Sequence, residues 1–572
     1  MGDPGIVASN MFDRAVSTNP FRNNAPPFPL PLNLIAFVLS YVRLRSYDHV
    51  RYDTSSGRPE GGIVCPFSTG LNVLVSRNVG AYIKRFELCG EFVEHEPEDH
   101  AKARRIPDES MLLSSLVRCA IEKMPVLEEF IWDLNVKMLP QIWQLLPQKH
   151  TLKSVTVRFP TKRHPRPIAV IPPIPNLQIL RITNIDPLCH ADDISFLLLG
   201  SKKLCHLTLH FSPRMLEASE PSVHLASYFG KVEAAGYTMP LKSIALHNLF
   251  TFNCGSCGTI LDMSAIEEAT YLNSESGRDN GNTVFYSGQP ELPGASMPKL
   301  KMIRMNGINQ ATCNFFARVP PLQYLYLAEP RSRKVASTSG SGPTPPSSST
   351  STPPDNNDHV STSSIQALKS QYLDTIVHTH GRTLRHLLLP PQFRLNADEF
   401  TMIIRACPKL EQLAVGAHMD VLKHMRLLIP FLQKLRVLRL LADDDDEGEG
   451  GGFVEKMREA DAKGLHEKMI GADTAGNEWQ NLQWIDLGAA DLLFELGGCY
   501  EVDDDHQRET GREECAEQGR GESEASGEGE HWQRGERCER KTGVGKWRRR
   551  VARRNWEDVR DIEVWKMAGS DI

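Results

Sequence analysis

Residues 177–182 read LQILRI, and the spacing of their apolar residues recurs along the chain. This frame is one large apolar residue, two variable residues, an apolar residue, a variable residue and a last apolar residue. It returns as LCHLTL at 204–209 and as LKSIAL at 241–246. Other strong copies begin at Leu300, Leu322, Leu384, Leu410, Leu435 and Leu482, and weaker ones at Ile83, Leu127, Leu152, Ile266 and Val559. The repetition indicates that one structural unit is used many times.

The frame predicts an α/β leucine-rich-repeat solenoid, with parallel strands on a concave face and helices outside. Its last two apolar positions alternate with a variable one, as in a strand with one buried face. Such a strand buries its apolar side by stacking on neighbours, and the commonest spacing of about 25 residues is that of leucine-rich repeats. A set of unrelated amphipathic strands is disfavoured, because so many copies share one frame.

Helices are expected between the strands. Asn396 followed by Glu399 is a capping-box pattern that precedes an apolar run. Residues 309–319 and 192–200 have a similar layout. Leucine-rich repeats usually carry Asn or Cys three residues after the frame, but Ile185 stands in that place here. We therefore expect no buried Asn ladder and repeats of irregular length.

Composition narrows the possible functions. The chain has 572 residues, a net charge of −6 and a pI near 6.4, which argue against a nucleic-acid-binding protein. It contains no apolar stretch of the ~20 residues that a membrane span requires and no signal-peptide pattern at its start. Its twelve cysteines therefore indicate reduced thiols. We expect a cytoplasmic or nuclear protein that binds neither nucleic acid nor membrane and is monomeric outside any complex.

Composition also divides the chain into segments. Tracts rich in Ser, Thr and Pro, or in like charges, bury too little apolar surface to fold. The Arg-rich stretch 548–554 fits a nuclear localisation signal or a phosphate-binding patch, but the last return helix is favoured. The predicted segments are 1–27 disordered, 28–42 a short helix, 43–331 repeats, 332–364 a disordered loop, 365–500 repeats with an acidic loop at 442–452, 501–545 a disordered charged insertion, and 546–572 a basic helix with the last strand.

The segment 28–42 carries a second motif. It predicts a short amphipathic helix, because Pro31 precedes a run whose apolar residues fall on one helical face. It resembles the first helix of the F-box, and 42–47 is similar to the strand that follows the F-box in fungal F-box/leucine-rich-repeat proteins. The matching residues are Leu30, Pro31, Leu34, Ile35, Val38, Leu39, Ser40, Tyr41 and Val42. An F-box has about three helices, so the resemblance is to an F-box truncated after its first helix.

The resemblance implies a function. Proteins of this family are substrate receptors of SCF-type ubiquitin ligases, in which the F-box binds a Skp-type adaptor of the cullin scaffold and the repeats bind the protein to be ubiquitinated. The residues that the resemblance assigns to adaptor binding are Leu30, Pro31, Leu34, Ile35, Val38 and Leu39. The alternative is a stand-alone protein-binding scaffold, in which 28–42 caps the repeats.

No catalytic, cofactor or metal site is predicted. Cys254 and Cys257 form a lone CxxC, whereas a structural zinc site needs four ligands, so we interpret them as two thiols. The chain has no Walker loop, dinucleotide fingerprint, nucleophile elbow or HExxH motif. We therefore expect a binding protein rather than an enzyme.

The variable residues of the strands are expected to face outward and to bind a protein partner of unknown identity. Aromatic residues and arginines are enriched in protein interfaces. The candidate partner-binding residues are Arg181, His206, His210, His247, Arg304, Tyr324, Tyr326, His386, Arg439 and Trp484.

Overall fold

The structure is a computed structural model, and it describes part of the chain. The described residues are 41–46, 66–160, 171–212, 225–248, 257–272, 297–328, 362–416, 428, 431–441, 480–487, 492–502 and 546–568, with gaps at 78, 91, 93, 95–96, 104, 187–189, 307 and 309. The chain forms two compact units, Met1–Lys299 and Leu300–Ile572.

Sixteen strands lie in the described residues, eight in each unit, and sheet neighbours are neighbours in sequence. Pairing is parallel from β1 to β8 in the first unit and from β9 to β14 in the second. The strands are β1 Tyr41–Ser46, β2 Arg85–Gly90, β3 Glu129–Leu134, β4 Ser154–Arg158, β5 Ile179–Ile185, β6 His206–Phe211, β7 Ser243–His247, β8 Glu268–Leu272, β9 Met302–Met305, β10 Tyr324–Leu327, β11 His386–Leu388, β12 Gln412–Gly416, β13 Val437–Leu441, β14 Trp484–Asp486, β15 Leu493–Val502 and β16 Lys546–Arg554.

Helices alternate with the strands over most of the described chain. Short 3₁₀ turns at Gly80–Tyr82, Leu146–Gln148 and Leu225–Tyr228 and a π turn at Ile376–His380 supplement them. The α-helices are α1 Pro66–Ser76, α2 Pro97–Lys102, α3 Asp108–Glu122, α4 Pro140–Leu145, α5 Ala191–Gly200, α6 Gly230–Ala234, α7 Cys257–Ile260, α8 Gln310–Phe316, α9 Thr362–Thr375, α10 Ala397–Ala406, α11 Trp556–Val559 and α12 Glu563–Lys566. The predicted α/β repeat class is confirmed.

The frame residues form the core of each unit. In β5 the last two apolar positions, Leu180 and Ile182, are fully buried, whereas Ile179 and Arg181 beside them are exposed. The parallel register aligns equivalent positions, so that Leu180 pairs with Val155 of β4. Every frame except the last coincides with a strand of the structure. Burial of one face of each strand is therefore the physical cause of the repeat.

The predicted capping box begins α10. The Asn396 side chain accepts a hydrogen bond from the Glu399 backbone, and the Glu399 side chain accepts one from the Asn396 backbone, both at 2.9 Å. Glu399 also forms an ion pair with Lys369 of α9, with 2.8 Å between Nζ and Oε1. The same carboxylate therefore caps one helix and attaches it to its neighbour.

The prediction for 546–572 is wrong. Lys546–Arg554 is the strand β16, which pairs antiparallel with β15, and β15 pairs antiparallel with β14. The residues expected to form the last strand, Val559 to Val564, instead lie in and between α11 and α12. The sequence of residues 547–552, Trp-Arg-Arg-Arg-Val-Ala, is compatible with a helix or with a strand, and pairing with β15 selects the strand.

Two segment boundaries also differ from prediction. Tyr41 and Val42, expected to end the N-terminal helix, belong to β1, where Val42 pairs with Phe86. The loop predicted to end at 364 ends earlier, because α9 begins at Thr362. Residues 1–27, 28–40, 332–361, 442–452 and 503–545, including Leu30, Pro31, Leu34, Ile35, Val38 and Leu39, lie outside the described residues.

Two buried asparagines form hydrogen bonds between neighbouring repeats. Asn184 and Asn248 follow the frame by two residues rather than three, and both have positive φ, of 61° and 55°. Their side-chain amides donate to the carbonyl oxygens of Phe159 at 2.8 Å and Phe211 at 3.0 Å, each in the preceding repeat. Asn tolerates the left-handed region better than most residues. These are two separate Asn contacts between repeats, one residue earlier than the position that the Asn ladder of leucine-rich repeats uses.

Candidate protein-binding face

The variable residues of the strands form two rows on the face opposite the frame residues. Row one contains the residue just before the middle apolar position of each frame, such as Ile179. Row two contains the residue between the last two apolar positions, such as Arg181. We call this side of each unit the variable face. Parallel pairing places row members of adjacent strands side by side, about 4.8 Å apart.

The variable face of the first unit carries charges of both signs near its start. Arg43 pairs with Glu87 at 2.9 Å, and Arg85 contacts Glu87 at 3.3 Å and Glu129 at 3.2 Å. Glu87 is mostly buried between these arginines, whereas the arginine side chains are over 40% exposed. This end of the face is therefore a solvated network rather than a patch of one charge.

Arg181 occupies the middle of this variable face. Its side chain is exposed, although partial burial of the guanidinium lowers its pKa and Glu129 opposes that shift. Its row-two neighbours are Thr156 of β4 and Thr208 of β6. Within the described part of the chain, its guanidinium makes no hydrogen bond or ion pair. Ile179, two residues earlier, is 40% exposed. An accessible arginine with apolar and hydroxyl neighbours is suited to protein recognition.

The histidines of the first unit differ in accessibility. His206 is half-buried in row one, whereas His247 is buried. The Asn184 N–H lies 3.4 Å from His210 Nδ1, and the Asn248 amide nitrogen lies 2.9 Å from His210 Nε2. Burial lowers the pKa of His210 to about 4, so this ring is neutral at pH 7. His210 therefore bridges the ends of the two neighbouring strands, β5 and β7.

The variable face of the second unit is covered by the C-terminal segment, residues 555–568. Its helix α12 packs against β11 and β12. Arg304 Nε donates to the Met567 carbonyl at 2.9 Å, and Arg439 Nη1 donates to the Val564 carbonyl at 3.3 Å. These two predicted partner-binding residues therefore bind a segment of their own chain.

Two polar residues of the variable face, Gln412 and Asp486, complete this contact, although neither was among the selected partner-binding residues. Gln412 accepts from the Val564 N–H at 3.1 Å through Oε1, and its Nε2 donates to the Glu563 carboxylate. Asp486 Oδ2 accepts from the Trp565 indole at 3.2 Å. Burial opposes ionisation of Glu563, but the Gln412 bond leads the interactions that leave its pKa below the ordinary value. Gln412 lies in row one and Asp486 in row two, so the alternation of their strands already places both residues on the variable face.

The remaining predicted residues of the second unit are in contact with one another or at its edge. The Tyr326 hydroxyl lies 2.7 Å from His386 Nδ1, and the Tyr324 and His386 rings meet edge to face at 4.8 Å. Burial lowers the pKa of His386 to about 4, so the ring that shares this hydrogen bond with Tyr326 is neutral at pH 7. Trp484 is half-buried in row one of β14. Tyr326 and His386 are buried, whereas Tyr324 retains some exposure.

The titratable groups described do not form a reactive constellation. Burial raises the pKa of the Cys407 thiol to about 12, so that it stays protonated, and lowers the pKa of His380 to about 4. In the described ranges, His, Cys, Asp and Glu form no group of three that could hold a metal ion.

Comparison with protein-family models finds no match, and comparison with curated proteins finds none either. Among the helices of the described residues, none is long and apolar enough to cross a membrane. The chain is thus an α/β protein with a long, mostly parallel sheet of sequential strands, consistent with a leucine-rich-repeat type of array.

Proposed function

We propose that this chain recognises other proteins through the variable face of its first unit. The observation that carries the proposal is the contrast between two arginines at the same frame position. Arg181 of the first unit is exposed, whereas Arg439 of the second is bound by the C-terminal segment. Repeat arrays use such extended faces to bind proteins. A mixed-charge face with exposed Ile179 and Arg181 suits a folded partner better than nucleic acid.

Partner capture with single substitutions tests this proposal. Ile179→Asp puts a charge on the variable face, and Leu112→Asp puts one on the exposed side of α3, where Leu112 is 62% exposed. We expect the wild-type chain and Leu112→Asp to retain the same partner proteins, and Ile179→Asp to lose them. Equal capture by all three proteins contradicts use of this face.

We further propose that this recognition serves ubiquitination, with the chain as the substrate-recognition subunit of an SCF-like ligase. The support is the F-box-like sequence from Leu30 to Leu39, which stands directly before the first strand of the repeats. In this proposal that helix binds a Skp-type adaptor, and the partner on the variable face is the protein to be modified. The stand-alone scaffold is the alternative, because a protein-binding face does not itself require an adaptor.

Co-purification with a Skp-type adaptor separates the two functions. The deletion should span 28–40, because Tyr41 begins β1 and its removal damages the sheet. A deletion of 1–27 is the matched control. The ligase proposal predicts adaptor binding by the full chain and the control but not by the 28–40 deletion. The scaffold predicts no adaptor in any sample and partner capture by all of them.

A further inference from the structure

Three frames carry an arginine in row two, at the same position of the repeat: Arg181, Arg304 and Arg439. Arg304 and Arg439 donate to backbone carbonyl oxygens at and just after α12, those of Met567 and Val564. A cation is favoured at the C-terminal end of a helix, where carbonyl groups lack helical partners. The second unit therefore uses this position to hold a one-turn helix, through the carbonyl of its second residue and the carbonyl just past its C-terminal end.

The residues around Arg181 stand at the same sheet positions as the residues around Arg439, and they have similar polarity. The row-one residue on its own strand is Ile179, where Arg439 has Val437. The preceding strand supplies Ser154 in row one, paired with Ile179, where the second unit has Gln412 paired with Val437. Each set therefore has an apolar residue beside the arginine and a polar one across the ladder.

The following strand extends the match. Arg181 pairs with Thr208 of β6, and Arg439 pairs with Asp486 of β14. Asp486 accepts the indole hydrogen bond of Trp565, and a threonine hydroxyl is also able to accept such a bond. The four-residue pattern of apolar, arginine and two polar neighbours thus occurs twice. One copy is filled by the C-terminal segment, and the other is exposed at Arg181 and Ile179.

We propose that Ile179, Arg181 and Thr208, with the buried Ser154 beside them, form a docking site for a short helical segment of a partner protein. The segment presents a carbonyl oxygen of its last turn to Arg181, as the C-terminal segment does to Arg439, and an apolar side chain to the exposed Ile179. This proposal rests on the proposed function, since it names how the first unit binds its partner.

The chain supplies its own probe for this site. A labelled peptide of residues 555–568, NWEDVRDIEVWKMA, is titrated with the full-length protein by fluorescence anisotropy. Arg181→Gln removes the proposed donor, and Arg118→Gln on the exposed side of α3 is the matched control. Both arginines lie at the surface, so thermal melts of the two variants should agree with that of the wild type.

We expect the wild type and Arg118→Gln to bind the peptide alike, and Arg181→Gln to bind at least about tenfold more weakly, as for loss of a charged hydrogen bond. Unchanged binding by Arg181→Gln, or no preference of the wild type over a scrambled peptide, overturns the site. If the peptide test fails while Ile179→Asp still abolishes partner capture, only this mode of docking is rejected. If partner capture is indifferent to Ile179→Asp, the proposed function itself fails.

Discussion

Arg439 lies beside Trp565, with its guanidinium carbon 5.5 Å from the ring centre, and one carboxylate binds both side chains. Asp486 Oδ2 accepts from Arg439 Nε and from Trp565 Nε1, each at 3.2 Å. Burial lowers the pKa of Arg439, and Asp486 opposes that shift. The C-terminal segment is therefore joined to the strands by buried charge as well as by apolar contact.

The two tryptophans near Arg439 should differ in their effect on stability. Trp565 is 1% exposed, whereas Trp556 is 48% exposed with its ring centre 6.0 Å from the same guanidinium. Trp565→Ala should cost about 3–5 kcal/mol, because it leaves a cavity and removes one of the hydrogen bonds that Asp486 accepts. Trp556→Ala should cost less than about 1 kcal/mol. Urea unfolding of the full chain measures both, and similar losses contradict the burial of the C-terminal segment.

A buried lysine should be far more sensitive than an exposed one. Lys369 is 4% exposed and binds both Glu399 and the Arg394 carbonyl, the latter at 2.9 Å. Lys369→Ala leaves Glu399 partly buried without its cation and should cost about 3–5 kcal/mol. Lys102→Ala breaks an exposed pair with Asp99 and should cost at most about 0.5 kcal/mol. Chemical unfolding compares the variants, and a Lys369→Ala loss as small as that of Lys102→Ala refutes this expectation.

The second unit should lose stability in mild acid through His386. Burial lowers its folded pKa to about 4 from the usual 6.5. Between these values the unfolded chain binds a proton that the folded state excludes, so stability falls as pH drops from about 6.5 toward 4. His386 contributes up to about 3 kcal/mol of that loss. His386→Gln should flatten the dependence of unfolding free energy on pH, and an unchanged slope argues against a neutral buried ring.

Adjacent residues of β5 test the separation of core from variable face. Leu180→Asp buries an unpaired charge at a fully buried position and should unfold the first unit. Ile179→Asp places the same charge at a position that is 40% exposed and should shift the melting temperature by only a few degrees, about 1 kcal/mol or less. Circular dichroism melts measure both, and equal effects contradict the frame assignment.

The strands could be predicted from the sequence because each strand buries one face, and its buried residues recur at the same positions of the repeat. Frames such as 177–182 and 410–415 carry that requirement in their own spacing, and the helix begun by Asn396 is specified by a local hydrogen-bond pattern. Both patterns depend on residues that are close in sequence, so they can be recognised without knowledge of distant contacts. The frame at Val559 failed because three apolar residues at those spacings suit a short helix that packs on a sheet equally well.

The candidate site was predicted only in part. Row positions follow from the alternation of a strand, so Arg181, Arg304 and Arg439 were placed on the correct face. Their different surroundings depend on a contact between the strands of the second unit and the C-terminal segment, about 120 to 260 residues apart in sequence. No local pattern around Arg304 or Arg439 specifies that contact. Strand alternation also places Gln412 and Asp486 on this face, but their contacts with the C-terminal segment depend on the same distant pairing.

Arginine modification of the full-length protein tests most directly the claim that one repeated position is free in the first unit and filled in the second. Phenylglyoxal labelling followed by peptide mass spectrometry compares Arg181 with Arg304 and Arg439 in the same sample. The structure predicts rapid modification of Arg181 and protection of Arg304 and Arg439 until the protein unfolds. Modification of all three at equal rates in the folded protein contradicts the claim.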